Sequence, residues 1–171
     1  MFKKIRLLLR RLLNRSANEN NEGVVTFKTK LFAKHIKANG KVVDKGLISE
    51  RVVTTVGVNA LVDAFQNLFV LNNFRYHGSG TGTTAEAVGD TALVTEVATR
   101  ATGSQIEGAS ANIYRTVGTI SYTAALAITE HGIFSAATVG TLWDRSVFSA
   151  INVANGDSIQ FTYDLTCNAG G

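Results

Sequence analysis

Between Ile113 and Cys167, apolar and polar residues alternate in short runs that Gly, Asn and Asp separate. That rhythm predicts antiparallel strands with one face buried and one wet. The last run shows it most clearly. Ile159, Phe161, Tyr163 and Leu165 share one parity, while Ser158, Gln160, Thr162 and Asp164 take the other. Earlier runs place Val117, Ile120 and Tyr122, then Ala127 and Ile128, Ile133 and Phe134, Leu142, and Val147 and Phe148 in the same wall.

The first fifteen residues follow a different period. At about 100° per residue, Phe2, Ile5, Leu8, Leu9, Leu12 and Leu13 fall on one side and Lys3, Lys4, Arg6, Arg10, Arg11 and Arg15 on the other, with Leu7 out of place. This predicts an amphipathic helical arm over residues 1–15, too short to be stable alone in water and ordered when its Leu face meets a partner. The candidate docks are a groove on a partner protein or neighbouring subunit, an anionic membrane face, nucleic acid reached through the basic side, and the chain's own domain. The protein groove is the preferred one. Residues 16–23, SANENNEG, are polar and aperiodic and read as a tether.

A β-sandwich body is then expected over residues 24–171. Asn39-Gly40 is a hairpin signal between VVTFKTKLFAKHIK and KVVDKGL. Lys28, Lys30, Lys34, Lys37, Lys41 and Lys45 would line its exposed faces, either to discourage stray strand pairing or to touch an acidic or nucleic-acid partner. Ile48 to Val56 continues as strand. Asn59 is the predicted cap of one short helix reaching about Leu68, with Leu61, Val62, Phe65, Leu68 and Phe69 at helical spacing and closing one end of the sandwich. The stretch from Ser79 to Asp90 reads as a long surface loop, and Gly103 to Asn112 as a polar turn region.

Composition and charge narrow the function classes. A chain of 171 residues suits one domain plus an appendage. Its single cysteine, Cys167, rules out an intrachain disulfide and suits a reducing cytoplasm. No apolar run approaches the roughly 20 residues of a membrane-spanning helix, so a soluble protein is expected. The net charge of +4 divides unevenly: residues 1–45 hold twelve Lys and Arg against three acidic residues, and residues 46–171 hold five against ten. The front is basic and the body acidic.

Three strings carry a resemblance: YHGSGTGTTAEAVGDTAL, AITEHGIFSA, and LWDRSVFSAINVANGDSIQFTYDL, in that order. Together they resemble structural proteins of tailed bacteriophages, among them capsid cement (decoration) proteins and some neck, tail and fibre components. The resemblance covers roughly residues 53–171 and implies virion assembly. The expected fold is all-β, a jelly-roll-like antiparallel β-sandwich with one short helix, plus the N-terminal amphipathic helical arm. The expected partners are the major capsid protein and further copies of the chain, as a dimer or trimer. Membrane or nucleic-acid contact through the basic arm is the alternative of another class.

Candidate chemistry is sparse. The Gly-rich loop lacks the Lys-Ser/Thr of a P-loop and the βαβ setting of a dinucleotide fingerprint. His35, His77 and His131 are scattered in sequence, without metal-ligand spacing. Glu130-His131 and Asp144-Arg145 form the one close titratable group, with Ser135 and Ser146 as conceivable nucleophiles, but neither serine sits in a nucleophile elbow. Neighbouring strand residues also point to opposite faces. No catalytic residue, cofactor, metal or small-molecule substrate is therefore expected. Glu130 is expected to be a buried or intersubunit carboxylate paired with Arg145, and Trp143 a core residue or interface anchor.

Overall fold

The computed structural model describes residues 23–50 and 52–169. The arm expected over residues 1–15 and nearly all of the tether lie outside the described residues. By its contacts the chain divides into a body, Lys28–Thr166, and a smaller unit of residues 1–27 and 167–171. The described elements are β1 (Thr26–Ile36), β2 (Val42–Ser49), β3 (Val52–Val53), α1 (Thr55–Phe65), a 3-10 turn (Leu71–Asn73), β4 (Tyr76–Gly80), β5 (Glu96–Thr102), β6 (Ser104–Glu107), β7 (Ile113–Ser121), β8 (Leu126–Phe134), β9 (Leu142–Val153) and β10 (Ser158–Asn168).

The strands form two five-stranded sheets, ordered β2-β1-β10-β7-β6 and β3-β9-β8-β4-β5. Antiparallel ladders run between β7 and β10 from Ile113↔Thr166 to Ser121↔Ser158, and between β8 and β9 from Leu126↔Val153 to Phe134↔Leu142. Among the described residues the fold is thus all-β and sandwich-like, as the alternation predicts, with one short α-helix. On β10 the predicted inner residues Ile159, Phe161 and Tyr163 are fully buried and Leu165 nearly so.

Two Asn-Gly turns close one end. Gly40 takes φ +84° between β1 and β2, and Gly156 takes φ +86° between β9 and β10, conformations that favour glycine. Asp157 ties these turns together: its carboxylate accepts from Ala38 N (2.9 Å), Ala154 N (3.0 Å) and Lys37 Nζ (3.3 Å), and lies 2.8 Å from His35 Nε2. These donors, the Ala154 N–H foremost, hold its pKa far below the usual carboxylate range.

The helix departs from the sequence reading in start and orientation. It begins at Thr55 and is capped by Thr54, whose Oγ1 accepts from Gly57 N (3.0 Å) and donates to Leu142 O (2.6 Å), so Asn59 lies inside it. Gly57 permits this: a Cβ there would stand 2.8 Å from the Trp143 carbonyl oxygen. The buried face is therefore the small one, Gly57 and Ala60. Val62, Phe65 and Leu68, expected to close the sandwich, are instead 51%, 84% and 72% exposed.

Candidate functional site

Every residue of β8 from Ile128 to Phe134 is buried. An antiparallel strand with one solvated face would bury only half. The difference arises because the segment joining β4 to β5, residues 81–95, lies over the outer side of β8. Glycines make that approach possible. A Cβ on Gly80 would stand 2.4 Å from both Glu130 Oε1 and Thr95 O, and one on Gly82 2.5 Å from Glu130 Oε1.

The segment is held by one buried carboxylate and one buried guanidinium. Glu130 Oε1 accepts from Gly82 N (3.0 Å) and Thr95 N (2.7 Å), and Oε2 from Val94 N (3.0 Å) and Arg145 Nε (3.0 Å). Arg145 Nη2 lies 2.9 Å from the same Oε2 and donates to Thr84 O (2.9 Å), while Nη1 donates to Asp90 Oδ2 (2.9 Å). Burial opposes the guanidinium charge, but the bonds to Asp90 and Glu130 outweigh it and raise the Arg145 pKa. Below the clamp, Thr129 Oγ1 donates to Gly82 O, and Leu93 packs on Phe134 and Leu142. The Glu130–Arg145 pairing matches the sequence expectation. Glu130, Arg145 and Trp143 are 0%, 1% and 4% exposed, so their own chain encloses all three.

Between the sheets lies a polar seam that sequence spacing did not reveal. His77 Nδ1 is 3.0 Å from His131 Nε2, and His77 Nε2 is 3.0 Å from Thr116 Oγ1 on the opposite sheet. The His131 ring also sits 4.5 Å, centroid to centroid, from that of Phe161. Tyr122 OH donates to Ser79 Oγ, and Trp143 Nε1 donates to Tyr163 OH. Burial drives the His77 pKa down to about 3 and holds that of His131 well below its ordinary value, with the His77 charge adding to the effect. Both rings are neutral at pH 7. Burial raises Asp144 to about 7 against the opposing bonds from Thr29, Ser146 and Tyr163. Asp144 lies within β9, where it is fully buried.

The candidate catalytic group is not assembled. Glu130 binds the outer segment while His131 turns inward to His77. Ser146 pairs in register with His131, but its hydroxyl donates to Asp144 Oδ1 (3.3 Å), and Ser135 Oγ accepts from Thr141 N in the β8–β9 turn. Histidines 54 positions apart are brought together by the β4–β8 register, in which Ser79 faces His131. The common His-Gly of YHG and EHG was the available sequence signal. Among the described residues, no three His, Cys, Asp or Glu side chains are grouped to hold a metal ion.

Two surface features remain. The β1–β2 hairpin exposes its lysines, but Lys30 and Lys34 lie 3.6 and 3.9 Å from Glu50 and Asp44, and Lys37 lies against Asp157. That arrangement favours edge protection over a phosphate contact. The other feature is the outward apolar face of α1. The arm residues Phe2, Lys3, Lys4, Ile5, Arg6, Leu8, Leu9, Arg10, Arg11, Leu12 and Leu13 lie outside the described residues. No helix among the described residues is long and apolar enough to cross a membrane. No protein-family model, no curated protein and no solved structure matches the chain.

Proposed function

We propose that this chain is a non-enzymatic structural protein of a tailed-bacteriophage virion, made in the bacterial host cytoplasm, and that it acts as a cement protein across junctions between major capsid protein subunits. One observation carries the reading. The three strings that resemble virion structural proteins converge on one unit: the Gly/Thr-rich segment supplies Gly82, Thr84 and Asp90, the second string supplies Glu130, and the third supplies Arg145. The clamp gives that segment a fixed shape, as a surface that must fit a repeating lattice requires. The polar seam is sealed from solvent, so the reading places function on surfaces and not in a cleft.

In this reading the body sits over capsid junctions and the N-terminal arm engages a neighbour. Phe2, Ile5, Leu8, Leu9, Leu12 and Leu13 supply apolar contact, and the arm's Lys and Arg complement acidic surface. Two or three buried anchors at about 1.5–3 kcal/mol each, repeated by symmetry, make weak single contacts durable. The sandwich is read as jelly-roll-like because the chain changes sheets at β2/β3, β5/β6, β7/β8 and β9/β10, and β10 returns between β1 and β7.

Copies per purified particle, measured by quantitative mass spectrometry against the major capsid protein, test the proposal. A count on the order of hundreds is expected of a shell-wide cement protein, whereas about six to a few dozen would move it to the neck, tail or fibres, where low-order rings are the rule. Absence from particles would overturn the virion reading. Salt-sensitive binding of the chain to DNA or anionic vesicles would then support a module that acts through its basic arm.

A further inference from the structure

The tripeptide Ala-Asn-Gly occurs twice, at residues 38–40 and 154–156, and each copy sits in an exposed turn. The two glycines take nearly the same φ, +84° and +86°. Asn-Gly is the dipeptide in which the side-chain amide is most open to attack by the following backbone nitrogen, because glycine has no Cβ to crowd that nitrogen. The turns differ in what holds them. Around Asn39 the bonds close within the turn: Gly40 N donates to Lys37 O (2.8 Å), Lys37 N to Lys41 O (2.8 Å), and Lys41 N to Asn39 Oδ1 (3.0 Å). Around Asn155 they reach into the body: Gly156 N donates to Tyr122 O (2.8 Å) and Tyr122 N to Asp157 O (2.9 Å), and Tyr122 and Asp157 are 1% and 2% exposed. Among the described residues no N–H donates to the Asn155 side chain.

We propose that Asn39 is a site of spontaneous covalent modification, deamidation through a cyclic succinimide, and that the fold holds back the same chemistry at Asn155. Gly40 N attacks Asn39 Cγ. The N–Cγ bond forms as the Gly40 N–H proton passes to solvent hydroxide, negative charge gathers on Oδ1, and the carbonyl reforms as the side-chain nitrogen leaves, protonated by water, as ammonia. Water then opens the imide to an aspartyl or isoaspartyl chain, and nothing is oxidised or reduced. Lys41 N–H already bonds Oδ1, the atom on which the charge develops, so the turn itself supplies the donor that the intermediate needs. The bond that must yield, Gly40 N to Lys37 O, lies in an exposed turn where water can replace either partner. At Asn155 the nucleophile is Gly156 N, and freeing it takes the donor from the carbonyl of a buried residue, Tyr122. Asp157 resists the movement as well, because its carboxylate accepts from Ala38 N and Ala154 N. Reaction at position 39 adds a negative charge between Lys37 and Lys41. The isoaspartyl product also lengthens the main chain in the turn from which Ala38 N reaches Asp157.

The experiment follows both sites in the same full-length chain. Purified protein is incubated in mildly alkaline buffer made with oxygen-18 water, one sample folded and one unfolded in urea, with Trp143 emission reporting the folded state. Peptide mapping by mass spectrometry reads the conversion of Asn39 and Asn155 over time, and labelling by an isoaspartyl methyltransferase identifies the isoaspartyl product. In the folded sample Asn39 is expected to convert about tenfold faster than Asn155 or more, with oxygen-18 taken up at position 39. In urea the two rates should converge, because the tripeptides are identical and only the fold separates them. Equal rates in the folded sample, or a faster Asn155, overturn the proposal. So does an Asn39 that stays intact in the folded chain while the unfolded chain reacts. A difference of the same size in urea also overturns it, since the following residue, Lys41 against Asp157, would then set the rates without the fold.

Discussion

Glu130→Gln keeps the shape of the clamp and removes its charge. With the amide oxygen in place of Oε1, the bonds from Gly82 N and Thr95 N survive. The NH2 group then replaces Oε2 and meets only donors, Val94 N–H and the Arg145 guanidinium. The opposite amide orientation sets it against Gly82 and Thr95 instead. Arg145, at 1% side-chain exposure, retains Asp90 as its counter-charge. Hydrogen bonds to charged groups contribute about 1.5–3 kcal/mol each, and breaking a buried ion pair from one side costs about 3–5 kcal/mol. The expected loss is therefore about 3–5 kcal/mol, or roughly 6–20 °C in Tm for a chain of this size. Urea unfolding followed by the single tryptophan, Trp143, reads the global loss. Amide hydrogen exchange at Gly82, Val94 and Thr95 reads whether the segment lifts off first. Arg145→Met should cost less in the Glu130→Gln background than in wild type, because the two side chains share one interaction. A loss below about 1 kcal/mol, with those three amides still protected, would refute the clamp as the holder of the segment.

Three further outcomes are expected. Gly80→Ala places a Cβ 2.4 Å from Glu130 Oε1 and Thr95 O, so it should cost about 1–3 kcal/mol in urea unfolding and raise amide exchange across residues 81–95. Thr54→Val keeps the volume but removes the helix cap and the bond to Leu142 O, for a loss of about 1–2 kcal/mol and faster exchange at the Gly57 amide. The histidine seam sets a pH dependence. Because the folded-state pKa of His77 is lowered to about 3 and that of His131 also lies below 6.5, the unfolded chain binds more protons as pH falls below 6.5, and stability declines. Asp144, raised to about 7, acts in the opposite sense for one proton between its ordinary pKa near 4 and that value. His77→Gln should flatten the acid-side slope by up to about 1.4 kcal/mol per pH unit, as read from Tm between pH 4 and 6. An unchanged slope would show that His77 is already charged in the fold.

What the sequence disclosed and what it withheld follow from one difference: strand period is local, whereas strand partnership is not. Parity on β10 and the Asn39-Gly40 turn are local, and both appear where the pattern placed them. The Glu130–Arg145 pair was accessible because β8 and β9 form a hairpin, so its partners are close in the chain. The His77–His131 contact depends on β4 lying beside β8, a neighbour relation that alternation does not encode, and so histidines that look scattered meet at 3.0 Å. The helix was misoriented for a related reason. Apolar periodicity marks a hydrophobic face without saying what covers it, and on α1 the close approach to the Trp143 backbone admits only a glycine, Gly57, beside the buried Ala60 of the same helix. Val58, Val62 and Phe65 turn outward as a consequence, and the periodicity that usually marks a core here marks a surface. The fold thus holds Glu130 and Arg145 inside, satisfied around the 81–95 segment, and leaves Val58, Val62 and Phe65 of α1 outside.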